Sequence, residues 1–372
     1  MKRLRLGMVG GGQGAFIGGV HRFAARLDGR WDLVAGALSS DPERAAASAT
    51  DLGLDPVRSY PDFKTMAQAE AARADGIDAV AIVTPNHMHA GPAIAFLDAG
   101  IHVICDKPLA GTEEDAEAIA AAVHRSGKRF ILTHNYTGYP LIRQAREMVA
   151  AGELGTLRLV QVEYAQDWLT EPSDGKQAAW RADTTRSGKG GAIADIGTHA
   201  FNLANFVTGL TPSHLAADLS AFVPGRPVDD NAHILMRYES GMRGMLWASQ
   251  VAVGNENGLR LRVYGDKAGL EWAQEDPNRM AFSRFGQPRQ IITRGGAGAT
   301  EAAMAVIRIP AGHPEGYLEG FATFYREAAD LITAEYKGEP TLLPGIVEGL
   351  DGVRFVSACI ASAETGVAWI EL

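Results

Sequence analysis

A chain of 372 residues is too long for one ordinary domain and favours two. Hydrophobic residues at 46% and charged residues at 21% fit a globular protein with real cores, not a disordered one. A net charge of −9 argues against nucleic acid or an anionic membrane as the main partner, because phosphate binding needs a basic face.

The start, MKRLRLGMVGGG, is basic but reaches glycines within a few residues and has no apolar h-region, so no export leader is expected. Residues 4–9 form an apolar strand that ends in Gly10-Gly11-Gly12. Residues 32–38 read as a second buried strand. Asp41-Pro42-Glu43 then opens a helix, with Asp as N-cap and Pro at its first position, and Gly53 closes it. Strands follow at 78–83, 101–104 and 130–134, with helices at 87–99 and at 113–126, the latter capped by Thr112 and followed by Gly127. Alternating strands and helices predict right-handed βαβ units and a doubly wound, mostly parallel sheet over residues 1–135. Cys105 and Cys359 are the only cysteines, which leaves no disulfide framework and points to a reducing cytoplasm.

The pattern changes after residue 135. A helix at 139–151 precedes strands of period two near 157–166, 215–223, 229–238, 243–253 and 259–264. Helices at 191–207, 315–337 and 346–363 complete a second, α+β domain over 136–372, with a large, mostly antiparallel, open-faced sheet. Residues 285–312 are rich in Gly and Ala and give no clear element. No window approaches the ~20 unbroken apolar residues of a membrane span.

The glycine turn directly after the first strand fits a dinucleotide site. Gly10 permits a tight turn and Gly12 a close approach of the chain to a pyrophosphate at the next helix start. Position 15 is Ala, so the third, packing glycine falls to Gly18 or Gly19 in a longer loop. At the end of the second strand, Ser39-Ser40-Asp41 stands where an acid would bind the ribose of NAD or an arginine the phosphate of NADP. With no adjacent cation, NAD is favoured, with the Ser39 hydroxyl or the Asp41 side chain as ribose partner. Lys107, at a strand end and locked before Pro108, is unlike a solvated lysine; Pro108 restricts it and can itself be cis. In GGAIADIGTHAFNLA, Asp195 and His199 sit four apart on an otherwise apolar helix, so both point one way. A core histidine satisfied by a neighbour is the plain alternative. His87 and His89 diverge on a helix and no Cys/His spacing suits zinc, so no metal is expected.

Glycine turn, TPNHMHAGPA, CDKPLA and GGAIADIGTHAFNLANFVTG, in that order, make the chain resemble the glucose–fructose oxidoreductase / inositol dehydrogenase family (Gfo/Idh/MocA), most nearly bacterial inositol dehydrogenases of the scyllo-inositol type. The family's usual Glu-Lys-Pro is here Asp106-Lys107-Pro108. The resemblance implies a nicotinamide dinucleotide on the first domain and a sugar or cyclitol on the second, with Lys107, Asp195 and His199 meeting over the nicotinamide. The expected cofactor set is Gly10, Gly12, Gln13, Ser39, Ser40, Thr84, Pro85, Asn86, His89, Asp106 and Lys107. Histidine as a residue type suits the base that removes a hydroxyl proton, a role that falls to His199; Lys107 suits the developing alkoxide, and Asp195 orients the site. Asn135, Tyr136, Arg181 (beside Trp180) and His313 complete the expected substrate contacts, His313 from its own or a neighbouring subunit.

The expected activity is NAD-dependent oxidation of a secondary hydroxyl on an inositol or glucose-like ring. A dinucleotide-sensing regulator, an NAD-dependent glycosidase and a sugar–sugar oxidoreductase remain as rivals on the same fold. In 243–253, Met245, Trp247, Ser249, Val251 and Val253 share one face, and both faces of this strand look too apolar for water. A homotetramer joined through the sheets is therefore expected.

Overall fold

The computed structural model describes residues 3–172, 190–334 and 341–372. Their contacts divide the chain into two units: 1–135 with 317–353, and 136–316 with 354–372. The sequence reading placed everything after residue 135 in the second domain; by contacts, 317–353 group with the first unit.

In the first unit, β1 (Leu4–Gly10), β2 (Trp31–Ala37), β3 (Ala79–Val83), β4 (His102–Cys105) and β5 (Phe130–Leu132) form one parallel sheet in the order β2-β1-β3-β4-β5. Helices α1 (Phe16–Leu27), α2 (Pro42–Asp51), α3 (Phe63–Ala72), α4 (Ala90–Asp98) and α5 (Glu113–Ser126) connect the strands. All of β3 is buried, as both faces of a parallel sheet require. The helix boundaries follow local chemistry. The Asp41 side chain accepts the Arg44 N–H at the start of α2, Thr112 accepts that of Asp115 at the start of α5, and Gly127, at φ +64°, ends α5. Order 2-1-3 puts the switch point at the carboxyl end of β1, where the glycine turn lies. Of the later segments, α9 (Tyr317–Ile332) packs its Phe321, Phe324 and Tyr325 into the core shared with Leu6 and Met8 of β1 and Trp31 of β2.

In the second unit, α6 (Pro140–Ala150) leads into β6 (Leu157–Ala165). Then follow β7 (His214–Ser220), β8 (Asn231–Arg237), β9 (Arg243–Ser249), β10 (Gly258–Gly265), β11 (Ala268–Ala273), β12 (Arg279–Arg284), β13 (Gln290–Thr293) and β14 (Ile370–Glu371). They make one sheet in the order β13-β12-β11-β10-β6-β9-β8-β7-β14, antiparallel except for the β6–β9 pair. Residues 285–312, without a clear element in the sequence, supply β13 and the short α8 (Glu301–Met304). One sheet face carries a helix, α7 (Thr198–Thr208), whose Phe201 stacks on Phe355 of α10 (Ile346–Glu364) at 4.1 Å between ring centres. The other face is open: along β8 and β9 burial alternates residue by residue. Pairing stops at Ser249, so Val251 and Val253 do not extend the Met245 face, as the longer strand expected from the sequence would have had them do. Among the described residues, no helix is long and apolar enough to cross a membrane.

Candidate active site

In the first unit the glycine turn is built by close approach. Gly10 and Gly11 take φ of +78° and +72°. A Cβ on Gly12 would lie 2.7 Å from Leu38 O and from Ser48 Oγ. The packing glycine is Gly18, because its Cβ would lie 2.4 Å from Gly11 Cα, whereas one on Gly19 would make only an ordinary contact, 3.9 Å from Arg22 Nη2. The turn's backbone is anchored from Gln13 N–H to Ser48 Oγ, and the Gln13 side chain donates to Asp51. Helix α1 begins at Ala15 with no side-chain cap and no acid in its first turn. Its leading N–H groups thus face a glycine-lined turn that nothing anionic of its own occupies, which fits a dinucleotide pyrophosphate. At the end of β2, Ser39 Oγ accepts the Asp41 N–H and Asp41 Oδ1 caps α2, while Ser40 is exposed.

The next strand ends carry the loops Thr84-Pro85-Asn86 and Asp106-Lys107-Pro108, and the Lys107–Pro108 bond is cis. Asp106 Oδ1 accepts the Lys107 backbone N–H and the Thr133 hydroxyl, each at 3.0 Å. Burial, together with the Lys107 charge, pushes the His134 pKa down to about 3, so the ammonium bears on the end of β5. Asn135 is buried there, and its Nδ2 has no protein partner among the described residues. His89 departs from expectation. It is fully buried, with Nδ1 2.8 Å from Pro108 O and Nε2 2.9 Å from Thr84 O. Burial pushes its pKa down, so the ring is neutral; its single N–H is spent on one of these two carbonyls and leaves no donor for a cofactor.

In the second unit Asp195 lies in a π-helical turn, Ile193–Gly197, that runs directly into α7, where His199 sits. The simple four-residue stacking of one α-helix is thus replaced by a wider turn, a feature common at functional sites. The two side chains still share a neighbourhood. The His199 ring lies edge-on to Tyr136 at 4.9 Å, and the Asp195 carboxylate, after burial, helps push the Tyr136 phenol pKa up. Tyr136 Oη lies 2.6 Å from Tyr164 Oη, which donates to Asn257 Oδ1. Gln250 Nε2 donates to Asp195 Oδ2 at 2.9 Å. The start of this helix is capped from a distance. Asp229 Oδ1 accepts the Gly191 N–H and Oδ2 that of Ile193. Sequence reasoning missed Tyr164, Gln250, Asn257 and Asp229. The one visible signal was Asp229-Asp230 opening an apolar strand.

His313 stands apart on an exposed turn. Buried Arg294 clamps that turn, donating to Ile309 O, Pro310 O, His313 O and Glu315 Oε1. Trp180 and Arg181 lie outside the described residues.

Two family models match: the oxidoreductase family NAD-binding Rossmann fold over residues 4–134, and the GFO/IDH/MocA C-terminal domain over 142–271. Among solved structures, an oxidoreductase from Sinorhizobium meliloti is 56% identical over the full length of both chains, with a TM-score of 0.92. An inositol dehydrogenase homolog from Azotobacter vinelandii, complexed with NADH and myo-inositol, is 38% identical across 100% of this chain and 98% of that one, TM-score 0.93. Levoglucosan dehydrogenase of Pseudarthrobacter phenanthrenivorans is 29% identical over 76% of this chain and 77% of its own.

The Asp229 cap has a pH signature. Burial pushes its carboxyl up to about 6, against the two N–H donors that pull it down. An unfolded aspartate titrates near ~3.9, so the native state binds more protons between that pH and about 6. Stability from this group is therefore full below the window and falls as pH rises through it. Asp229→Asn removes the titration. The Tm advantage of the parent over the variant should shrink by roughly 5 °C from pH 4 to 6.5. A pH-independent difference would contradict the assignment.

Proposed function

The chain belongs to the GFO/IDH/MocA oxidoreductase family, and we propose that it is an NAD-dependent dehydrogenase for a secondary hydroxyl of a ring polyol, an inositol such as scyllo-inositol or a glucose-like pyranose. The observation that carries this reading is the π turn, which keeps a carboxylate and an imidazole against the same tyrosine in an apolar helix. A neutral, heavily hydroxylated ring suits so dense a set of donors and acceptors. Support also comes from the homolog that binds NADH and myo-inositol.

A bound nicotinamide would supply the hydride acceptor. Gly10, Gly12 and the open start of α1 would hold its pyrophosphate, and Gln13, the Thr84–Asn86 loop and the Asp106–Lys107 turn would hold the rest of the dinucleotide. His199 accepts the hydroxyl proton. The Lys107 ammonium hydrogen-bonds the same oxygen and offsets the negative charge that builds there. Asp195, held by Gln250, accepts a neighbouring hydroxyl, and Asn135 and Tyr136 add further contacts. Lys107→Ala and His199→Ala should each lower kcat by at least roughly 10²-fold, with NAD binding and folding kept. Near-normal turnover in either variant would overturn the roles.

For the cofactor, Ser40 is exposed at the end of β2, and its sequence neighbours, Ser39 and Asp41, carry no positive charge. NAD should give the higher kcat/KM, and Ser40→Arg should move the ratio toward NADP by supplying a phosphate partner. Equal kcat/KM for the two cofactors in the parent would count against this.

A homotetramer joined through the open sheets is part of the same proposal. Leu159, Leu235 and Met245 are 51%, 52% and 43% exposed on that face, and Leu235 pairs directly with Met245. Trp247 lies beside them, stacked on His233. Such a patch favours self-association. Light scattering should report four chains at micromolar concentration, and Met245→Glu should lower the mass. A monomer in the parent would refute the interface.

A further inference from the structure

We propose that His89 is a positioning residue for Lys107, a clasp that fixes the Lys107 turn to the loop after β3. The proposal rests on the role given to Lys107 above and adds what holds it. Lys107 follows a strand only four residues long, and a loop beyond so short a strand needs an outside brace. One face of the turn is braced by Asp106, through the Lys107 N–H and the Thr133 hydroxyl. On its other side, Pro108 O has His89 Nδ1 at 2.8 Å, and the same ring reaches Thr84 O with Nε2 at 2.9 Å.

The ring is tied to the β3 side by its own backbone. His89 N–H donates to Asn86 O, Ala93 N–H donates to His89 O, and His89 leads directly into α4. Thr84 Oγ1 also closes its loop by donating to Met88 O. Backbone pairing joins β3 to β4 as far as the Asp106 N–H on Ile82 O, and the imidazole, with its N–H on Nδ1, carries the link past Lys107 to Pro108 O, at the edge where a parallel sheet binds its ligand. It is fully buried, so water cannot replace that bond, and its loss leaves the carbonyl unsatisfied. The consequence is a fixed spacing between the cofactor loop and the lysine, and a shift of about 1 Å in such a spacing is enough to slow catalysis.

A double-mutant cycle tests this. His89→Phe keeps a ring of similar bulk but has no N–H to give Pro108 O. In the parent background it should lower kcat by roughly tenfold or more, with the polyol KM within about threefold. In the Lys107→Ala background the same change should lower the residual rate less than about twofold, because there is no lysine left to place. Equal losses in both backgrounds would mean a general structural role and would overturn the proposal. If Lys107→Ala itself turns over normally, the failure belongs to the functional reading and not to the clasp. The unaltered protein gives an independent check in case the variant does not fold. With 15N-labelled histidine, His89 should show a slowly exchanging ring N–H; rapid exchange with solvent at both ring nitrogens would refute the clasp.

Discussion

Every helix starts with backbone N–H groups that have no partner inside the helix, and each unit of this protein treats that constraint in its own way. In the first, α1 starts at Ala15 with neither a side-chain cap nor an acid, and glycines stand where any Cβ would collide. The leading amides are left for an anionic ligand. In the second, the helix that carries Asp195 and His199 starts at two glycines with no local cap. Asp229 supplies both oxygens from the start of the neighbouring strand. An open helix start leaves its amides for a ligand; a closed one fixes the turn that follows.

Closing the second start has consequences further along the chain. With Gly191 and Ile193 held by Asp229, and the Ala192 N–H on the Asp229 carbonyl, the first turn is pinned before the helix proper begins. A Cβ on Gly191 would lie 1.9 Å from Asp229 O, so that approach needs glycine. The turn that follows is π-helical, which spaces Asp195 more widely than an α-helical turn would. Gln250 then ties the carboxylate to the strand that ends beside Asp230, whose carbonyl accepts the Gln250 N–H. The turn that carries Asp195 and leads to His199 is thus set by one remote carboxylate and one amide side chain.

Much of this was readable in advance where the cause is local. Apolar runs gave the parallel strands, Asp41 and Thr112 gave helix starts, and the DIGTH spacing pointed to Asp195 and His199. What escaped has its cause far along the chain. Asp229 caps a helix nearly forty residues before it. The π turn depends on tertiary pinning, not on propensity. β11 to β13, of six, six and four residues, are too short for a clear period-two signal. His89 looked like a ligand contact because its position beside TPN suited one; only the two carbonyls on either side of the ring reveal a clasp. The return of 317–353 to the first unit was equally hidden, since nothing in an amphipathic helix names the sheet it covers.

That return is bound up with the lysine turn through a second buried histidine. His21 of α1 is fully buried, with Nδ1 2.8 Å from the Tyr325 hydroxyl of α9 and Nε2 4.0 Å from Asp106 Oδ1. Burial pushes its pKa down, so the ring is neutral and carries one N–H. A lone pair facing the carboxylate would be repelled, which puts the proton on Nε2 and makes the tyrosine the donor to Nδ1. Trp31 Nε1 donates to the Tyr325 carbonyl as well, so α9 is tied to α1 and β2 by polar as well as apolar contacts. The aspartate at 106 matters here. Its short side chain keeps Oδ1 within reach of the next backbone N–H, and the extra methylene of a glutamate would carry the carboxylate out of that bond. The shorter acid braces the lysine turn from inside, and the late helix α9, through Tyr325 and His21, completes the surroundings of that acid.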